Sequence, residues 1–94
     1  MDAELLLHER HQVSEDSFAE VRIWRVSSPV RGSTHEYKYS LAYFVAGECV
    51  LRYDNEAGKG DHRHIRSKEH SYSFHDPAQW MTDFWSDVDK WRQS

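Results

Sequence analysis

The sequence predicts one α+β domain, an antiparallel four- to five-stranded β-meander with a single C-terminal helix packed on one face. Apolar and polar residues alternate with period two through much of the first half of the chain, as half-buried strands require. Towards the C-terminus the apolar spacing changes to three and four, the period of an amphipathic helix. A chain of 94 residues has room for one hydrophobic core, so residues 1–94 are expected to form a single domain.

Four segments of the first half have the pattern of strands. Residues 5–13 fit either a strand or a short helix, and we favour the strand because a meander then follows without a long connection. Residues 18–26 and 37–45 show the clearest alternation. Gly47 supplies the tight turn of a hairpin into the fourth segment, residues 49–53.

The helix is predicted to begin at Pro77. Asp76 precedes it as an N-cap residue, proline suits the first helical position, and Gln79 stands three residues after the cap. A single apolar stripe follows, made of Trp80, Phe84, Val88 and Trp91 and widened by Met81 and Trp85. Such a stripe is typical of a helix that covers a sheet.

Composition restricts the environment and the partners of the chain. No apolar run approaches the roughly 18 to 20 residues of a membrane span, and the acidic N-terminus does not resemble a secretion signal. No membrane association and a cytoplasmic location are therefore expected. The net charge is −4, but residues 22–75 hold nine Lys and Arg against six acids, together with five of the seven histidines. The net charge therefore speaks against nonspecific adhesion to nucleic acid, whereas the middle of the chain is positive and rich in histidine.

Residues 55–71 are predicted to form a functional loop. The segment is polar, contains Gly58 and Gly60, and is too long for an ordinary hairpin link. If residues 61–65 are extended, His62 and His64 point to one face and Arg63 to the other. Two neighbouring imidazoles, which ordinarily titrate near pH ~6.5, suit general acid and base catalysis.

Cleavage of RNA by its own ribose 2′-OH is the reaction that this segment fits. It needs a base, an acid and cations for the developing phosphorane charge, but no metal. The predicted catalytic residues are His62 and His64 as base and acid, Lys59 and Arg63 as cations, and Asp54 or Asp61 to orient an imidazole. The predicted substrate-binding residues are Tyr53, Asn55, Lys59 and Arg52, with Tyr53 able to stack on a base.

The same residues are compatible with roles different from RNA cleavage. One alternative is a solvated loop, in which the His-Arg-His run arises by chance because the chain has seven histidines. His62 and His64 with a nearby aspartate could supply three metal ligands, but no second His pair or Cys set stands at fixed spacing. No metal and no other cofactor are therefore predicted. A further alternative is a basic sheet face that binds single-stranded nucleic acid, formed by Arg22, Arg25, Arg31 and Lys38. An ordinary solvent-exposed face is the better explanation of these four residues.

Several segments carry a resemblance to a known family. They are residues 38–43 (KYSLAY), 51–56 (LRYDNE), 58–65 (GKGDHRHI) and 72–74 (YSF), followed by the acidic and aromatic helix. From about Leu5 to Trp91 the chain resembles the TumE family of small bacterial toxin–antitoxin proteins. The resemblance implies a toxin encoded beside a small helix–turn–helix antitoxin.

The functional prediction combines the resemblance with the side chains. We expect a toxin that acts as a small, metal-independent endoribonuclease. A non-enzymatic regulatory module that works with a helix–turn–helix partner is the main alternative, and a metal-dependent nuclease is another. Self-association as a homodimer is left open.

Overall fold

The computed structural model describes residues 3–33, 35–56, 60–73 and 76–93. They form one six-stranded antiparallel sheet, in which each strand pairs with the next along the chain, and one helix. The elements are β1 (Ala3–Ser14), β2 (Ser17–Val26), β3 (Tyr37–Val45), β4 (Glu48–Glu56), β5 (Gly60–Ile65), β6 (Lys68–Ser71) and α1 (Pro77–Gln93). The α+β class and the meander are confirmed, but the strand count is six rather than four to five.

The two additional strands lie where a loop was predicted. β5 pairs antiparallel with β4, and β6 pairs antiparallel with β5. β5 alternates charged residues with histidines, and every residue of β6 is exposed. Neither strand therefore has the apolar alternation by which a half-buried strand is recognised. The prediction that residues 55–71 form one loop is wrong, and the functional role predicted for the segment stays a prediction.

The turn between β3 and β4 has the predicted tight geometry. Val45 pairs with Glu48, so two residues connect the strands. Ala46 and Gly47 have φ values of 51° and 82°. Positive φ at both central residues is the requirement of the type I′ turn that favours hairpins.

The hydrophobic core lies between α1 and one side of the sheet, which we call the helix face. The helix starts as predicted, because the Oδ1 atom of Asp76 accepts a hydrogen bond of 2.8 Å from the backbone N–H of Gln79. Trp80, Phe84 and Val88 are buried on the inner side of α1. They pack with alternate residues of three strands: Ala19, Val21, Ile23, Tyr39, Leu41, Tyr43, Leu51 and Tyr53.

The other side of the sheet, the open face, carries no helix in the described part of the chain. The strand register aligns two rows of side chains across it. One row is Arg22, Ser40, Asp54 and His62, and the next is Glu20, Ala42, Arg52 and His64. The ranges that the structure describes contain no helix long and apolar enough to cross a bilayer.

Candidate functional site

Asp54, His62 and His64 form a cluster on the open face, which we call the His–Asp cluster. β4 and β5 pair with Asp54 opposite His62 and Arg52 opposite His64. The Nε2 atom of His62 is 2.7 Å from Oδ1 of Asp54. The two imidazole rings meet edge to face, with centroids 5.1 Å apart. Because β5 is extended, residues two positions apart share a face, and both histidines therefore reach this cluster.

The members of the His–Asp cluster differ in their access to solvent. The side chain of His62 is 3% exposed and that of Asp54 is 16% exposed. The side chain of His64 is 38% exposed, and its Nε2 lies 3.7 Å from the carboxylate of Glu69. A molecule arriving from solvent therefore meets His64 first, with His62 and Asp54 behind it.

The protonation of His62 is constrained by its two neighbours. Its Nδ1 lies 3.2 Å from the carbonyl oxygen of Gly60, which can only accept, so this bond places a proton on Nδ1. Nε2 then faces Oδ1 of Asp54, and both atoms are buried without a well-aligned hydrogen bond in the described structure. Two electron-rich atoms at this distance repel each other unless a proton or a cation lies between them.

Gly60 holds the start of β5 against the segment that precedes β3. Its φ is 74°, and a Cβ at this position would lie 2.5 Å from the carbonyl oxygen of Gly32. Only glycine combines this backbone conformation with such a close approach. The carbonyl group that bonds His62 is therefore fixed by backbone packing rather than by flexible side chains.

Arg63 and Tyr53 lie on the helix face, away from the His–Asp cluster. The Nη1 atom of Arg63 donates to Oδ2 of Asp87 and to the hydroxyl of Tyr53, both at 3.2 Å. Hydrogen bonding to Tyr53 raises the pKa of Arg63, and nearby Asp87 acts in the same direction. Tyr53 is fully buried. In this structure Arg63 therefore points away from His64, and the ring of Tyr53 has no exposed surface on which a base could stack.

Asp61 and Asn55 also belong to the helix face, where they hold the backbone. Asp61 accepts hydrogen bonds of 2.9 Å from Ser33 and from Nε2 of His35. Asn55 is 1% exposed, and its side-chain oxygen accepts from the backbone N–H of Tyr39. Both residues are engaged in structural contacts away from the two histidines.

The structure thus divides the predicted site between the two faces of the sheet. It brings together four of the predicted residues on the open face: Arg52, Asp54, His62 and His64. It places four others on the helix face: Tyr53, Asn55, Asp61 and Arg63. Lys59, predicted to bind phosphate, lies outside the described residues. The alternation predicted for an extended segment is present, with His62 and His64 on one face and Arg63 on the other. The prediction nevertheless assigned residues of both faces to one site, which the alternation of a strand prevents.

Two features of the surroundings were missed by sequence reasoning. Arg66, in the turn between β5 and β6, joins Arg52, His64 and Cys49 around a cavity of about 220 Å³. On the helix face of the sheet, a larger polar cavity of about 500 Å³ lies beside α1, and Arg63 and Asp87 are among its lining residues. No local sequence signal marks either group, because each cavity joins residues from separate elements.

The His–Asp cluster also has the composition of a metal site. Asp54, His62 and His64 each offer one ligand atom, and these atoms lie within 4.8 Å of one another. Two imidazoles and one carboxylate are a ligand set that zinc and other divalent transition metals accept. These residues therefore fit a divalent cation as well as a shared proton.

Ionisation of Tyr53 gives a testable pH dependence of stability. Burial raises the pKa of Tyr53 above its ordinary value of 10.0. Above pH 10 the unfolded chain loses this proton while the folded chain keeps it, so the free energy of unfolding should fall as pH rises further. Below pH 10 the stabilising contribution is fully present. Urea denaturation between pH 8 and about 11 should show a steeper decline for the native chain than for Tyr53→Phe, and parallel declines would contradict the assignment.

A search of curated proteins and a search of solved structures return no match. The model of the family described as toxin TumE matches residues 2–92, which is nearly the whole chain. The chain therefore belongs to the TumE family, and as a member it is the toxin component of a toxin–antitoxin system with an antitoxin as its partner.

Proposed function

We propose that the toxin acts by cutting RNA without a metal ion, and that the open face of its sheet is the active site. One observation carries the proposal: the rings of His62 and His64 are in contact, at 5.1 Å between centroids, with the Asp54 carboxylate 2.7 Å from His62. Two adjacent imidazoles can serve one phosphate as base and acid at neutral pH.

His64 is the proposed base because its ring is the accessible one. It takes the proton of a ribose 2′-OH, whose oxygen then bonds to the adjacent phosphorus. The bond from phosphorus to the 5′ oxygen breaks, and a 2′,3′-cyclic phosphate remains. Arg52, opposite His64 on the neighbouring strand, stabilises the negative charge of the phosphorane.

His62 is the proposed acid because its contact with Asp54 calls for a proton between the two residues. That proton goes from Nε2 to the departing 5′ oxygen, which takes the place of Asp54 at this nitrogen. The carbonyl of Gly60 at Nδ1 keeps the imidazole oriented. The side chain of His62 is only 3% exposed, so this transfer requires substrate binding to open the surface around it. Catalytic contacts often become close only in the complex with substrate.

The decisive experiment compares cleavage of an oligonucleotide that has its 2′-OH groups with cleavage of one that lacks them. Purified toxin is incubated with a single-stranded RNA in the presence of EDTA, and with the same oligonucleotide carrying 2′-deoxy sugars throughout. We expect cleavage of the RNA, a 2′,3′-cyclic phosphate at the new end, and no cleavage of the deoxy strand. A 5′-phosphate product, or equal cleavage of both strands, would contradict the mechanism, because neither result uses the 2′-OH as the nucleophile.

A metal-dependent nuclease is the second candidate, and the ligand atoms of Asp54, His62 and His64 within 4.8 Å favour it specifically. In this case Asp54, His62 and His64 would hold a divalent cation, which would supply an activated water molecule as the nucleophile. EDTA should then abolish cleavage, and Zn²⁺ or Mn²⁺ should restore it. Cleavage that persists in EDTA excludes this candidate.

The third candidate is a non-enzymatic module that regulates through its antitoxin. We propose that this antitoxin is a small helix–turn–helix protein, as the resemblance to TumE toxins implies. Leu5 and Leu6 are 53% and 44% exposed on β1, an edge strand, and an unpaired edge of this kind supports strand pairing with a partner or a second copy. Growth arrest by a protein that cuts no RNA would favour the module. Light scattering of the purified chain would detect a homodimer.

A further inference from the structure

A small cavity opens beside the His–Asp cluster, and we call it the arginine cavity. It has a volume of about 220 Å³ and is lined by Cys49, Arg52, His64 and Arg66. Two of these side chains are permanently positive, and a third, an imidazole, can become so. None of the four is acidic. The lining therefore carries positive charge in a chain whose net charge is −4, and the carboxylate of Glu69 lies beside it, 3.7 Å from Nε2 of His64.

The two arginines of the cavity lack acidic partners among the residues that the structure describes. Arg22 and Arg63, by contrast, pair with Glu20 and Asp87 at 3.3 and 3.2 Å. The guanidinium of Arg66 contacts an aromatic ring rather than a carboxylate. Like charges that line one cavity raise its energy, and a bound anion removes that cost.

The position of Arg66 is fixed by its backbone and by α1. Its φ is 59°, in the left-handed region that residues other than glycine seldom adopt. Its backbone N–H donates to the carbonyl oxygen of Val50 at 3.0 Å. Its guanidinium carbon lies 4.2 Å from the centre of the Trp91 ring, a distance at which the ring attracts a cation. The turn and the helix together fix the position of this arginine, which lines the arginine cavity and also a neighbouring cavity that contains Glu48 and Trp91.

We propose that Arg52, Arg66 and His64 form a binding site for a phosphate group of the RNA backbone. Guanidinium groups present paired donors that match phosphate oxygens, which makes arginine suited to this ligand. His64 belongs both to this site and to the His–Asp cluster, so a phosphate held here lies next to the two imidazoles. The identity of the ligand as RNA rests on the proposed function, whereas phosphate binding itself requires no cleavage.

The test compares three single substitutions by calorimetric titration at constant ionic strength. The probes are inorganic phosphate and a short 2′-deoxy oligonucleotide that the proposed mechanism cannot cut. Arg52→Ala and Arg66→Ala should each weaken phosphate binding roughly tenfold or more, since a charge-assisted hydrogen bond is lost. The matched control is Arg92→Ala, an exposed position near the end of α1, which should bind phosphate as the native chain does.

Salt dependence separates a specific contact from general attraction. Each lost phosphate contact should lower the slope of log affinity against log salt for the oligonucleotide by about 0.7. Arg66→Lys keeps the positive charge and the attraction to Trp91, so it should bind phosphate better than Arg66→Ala while retaining the thermal midpoint. If Arg66→Ala proves poorly folded, the comparison of Arg66→Lys with the native chain decides, because lysine lacks the paired donors.

The outcomes distinguish this site from the proposed nuclease activity. Phosphate binding that depends on Arg52 and Arg66, in a protein that cuts no RNA, would support the site and remove the nuclease. Unchanged phosphate binding in both variants, or an equal loss in Arg92→Ala, would overturn the site. RNA cleavage could then still proceed through the His–Asp cluster alone.

Discussion

Replacing Phe84 with alanine should lower the free energy of unfolding by about 3 to 5 kcal/mol. Phe84 is fully buried, and its ring meets those of Tyr53 and Trp85 at 5.9 and 5.3 Å between centroids. Removing the ring leaves a cavity between α1 and the sheet that neighbouring aromatic side chains can fill only in part. A small domain has only about 5 to 15 kcal/mol of total stability, so partial unfolding at 37 °C is expected.

Urea denaturation followed by far-UV circular dichroism measures this effect. Asp89→Ala is the matched control, because Asp89 is exposed on the same helix and its replacement should change the free energy of unfolding by no more than about 0.5 kcal/mol. A loss below about 1 kcal/mol for Phe84→Ala would mean that the stripe is not the core. The stripe would then be available as a contact surface for the antitoxin or for a second copy.

The parts of the fold that could be predicted are those with a local physical signal. The N-cap at Asp76, the proline after it and the apolar stripe of α1 are contained in a short stretch of sequence. β2 and β3 alternate apolar and polar residues because one side is buried and the other is open. β5 and β6 lie beyond the main contact with α1, at the edge of the sheet, and bury few apolar side chains. Their pairing depends on backbone hydrogen bonds to the preceding strand, which leave little trace in residue type.

The candidate site could be predicted as a segment, and so could the placement of His62 and His64 on one face of an extended chain. His62 and Arg63 are adjacent in sequence, yet they lie on opposite sides because β5 is a strand. Asp54 joins His62 because the register of β4 and β5 places the two residues opposite each other. That register follows from the whole hairpin rather than from either residue. Arg66 lies near His64 because its backbone adopts the left-handed conformation in the turn after β5. An arginine in the sequence does not indicate this conformation.

Replacing His64 with glutamine should abolish growth arrest and slow RNA cleavage by about 10² to 10⁴. Glutamine keeps a polar side chain of similar size, but it cannot accept and release a proton near neutral pH. The side chain of His64 is 38% exposed, so its replacement should change the free energy of unfolding by no more than about 0.5 kcal/mol. Cleavage of a defined RNA and growth after induction measure the two effects, and the thermal midpoint confirms folding.

His70→Gln is the matched control for this substitution. His70 is an exposed residue of β6 that pairs with Arg63, so it belongs to the row of side chains on the helix face. It should retain full toxicity and full cleavage. His62→Gln should also lose activity, but with a cost in stability, because the buried ring contacts both Asp54 and Gly60. Loss of activity in His64→Gln without loss of stability therefore identifies a chemical role. If His64→Gln still arrests growth and still binds its antitoxin, proton transfer by His64 is not the source of toxicity, and the non-enzymatic module becomes the better account of this toxin.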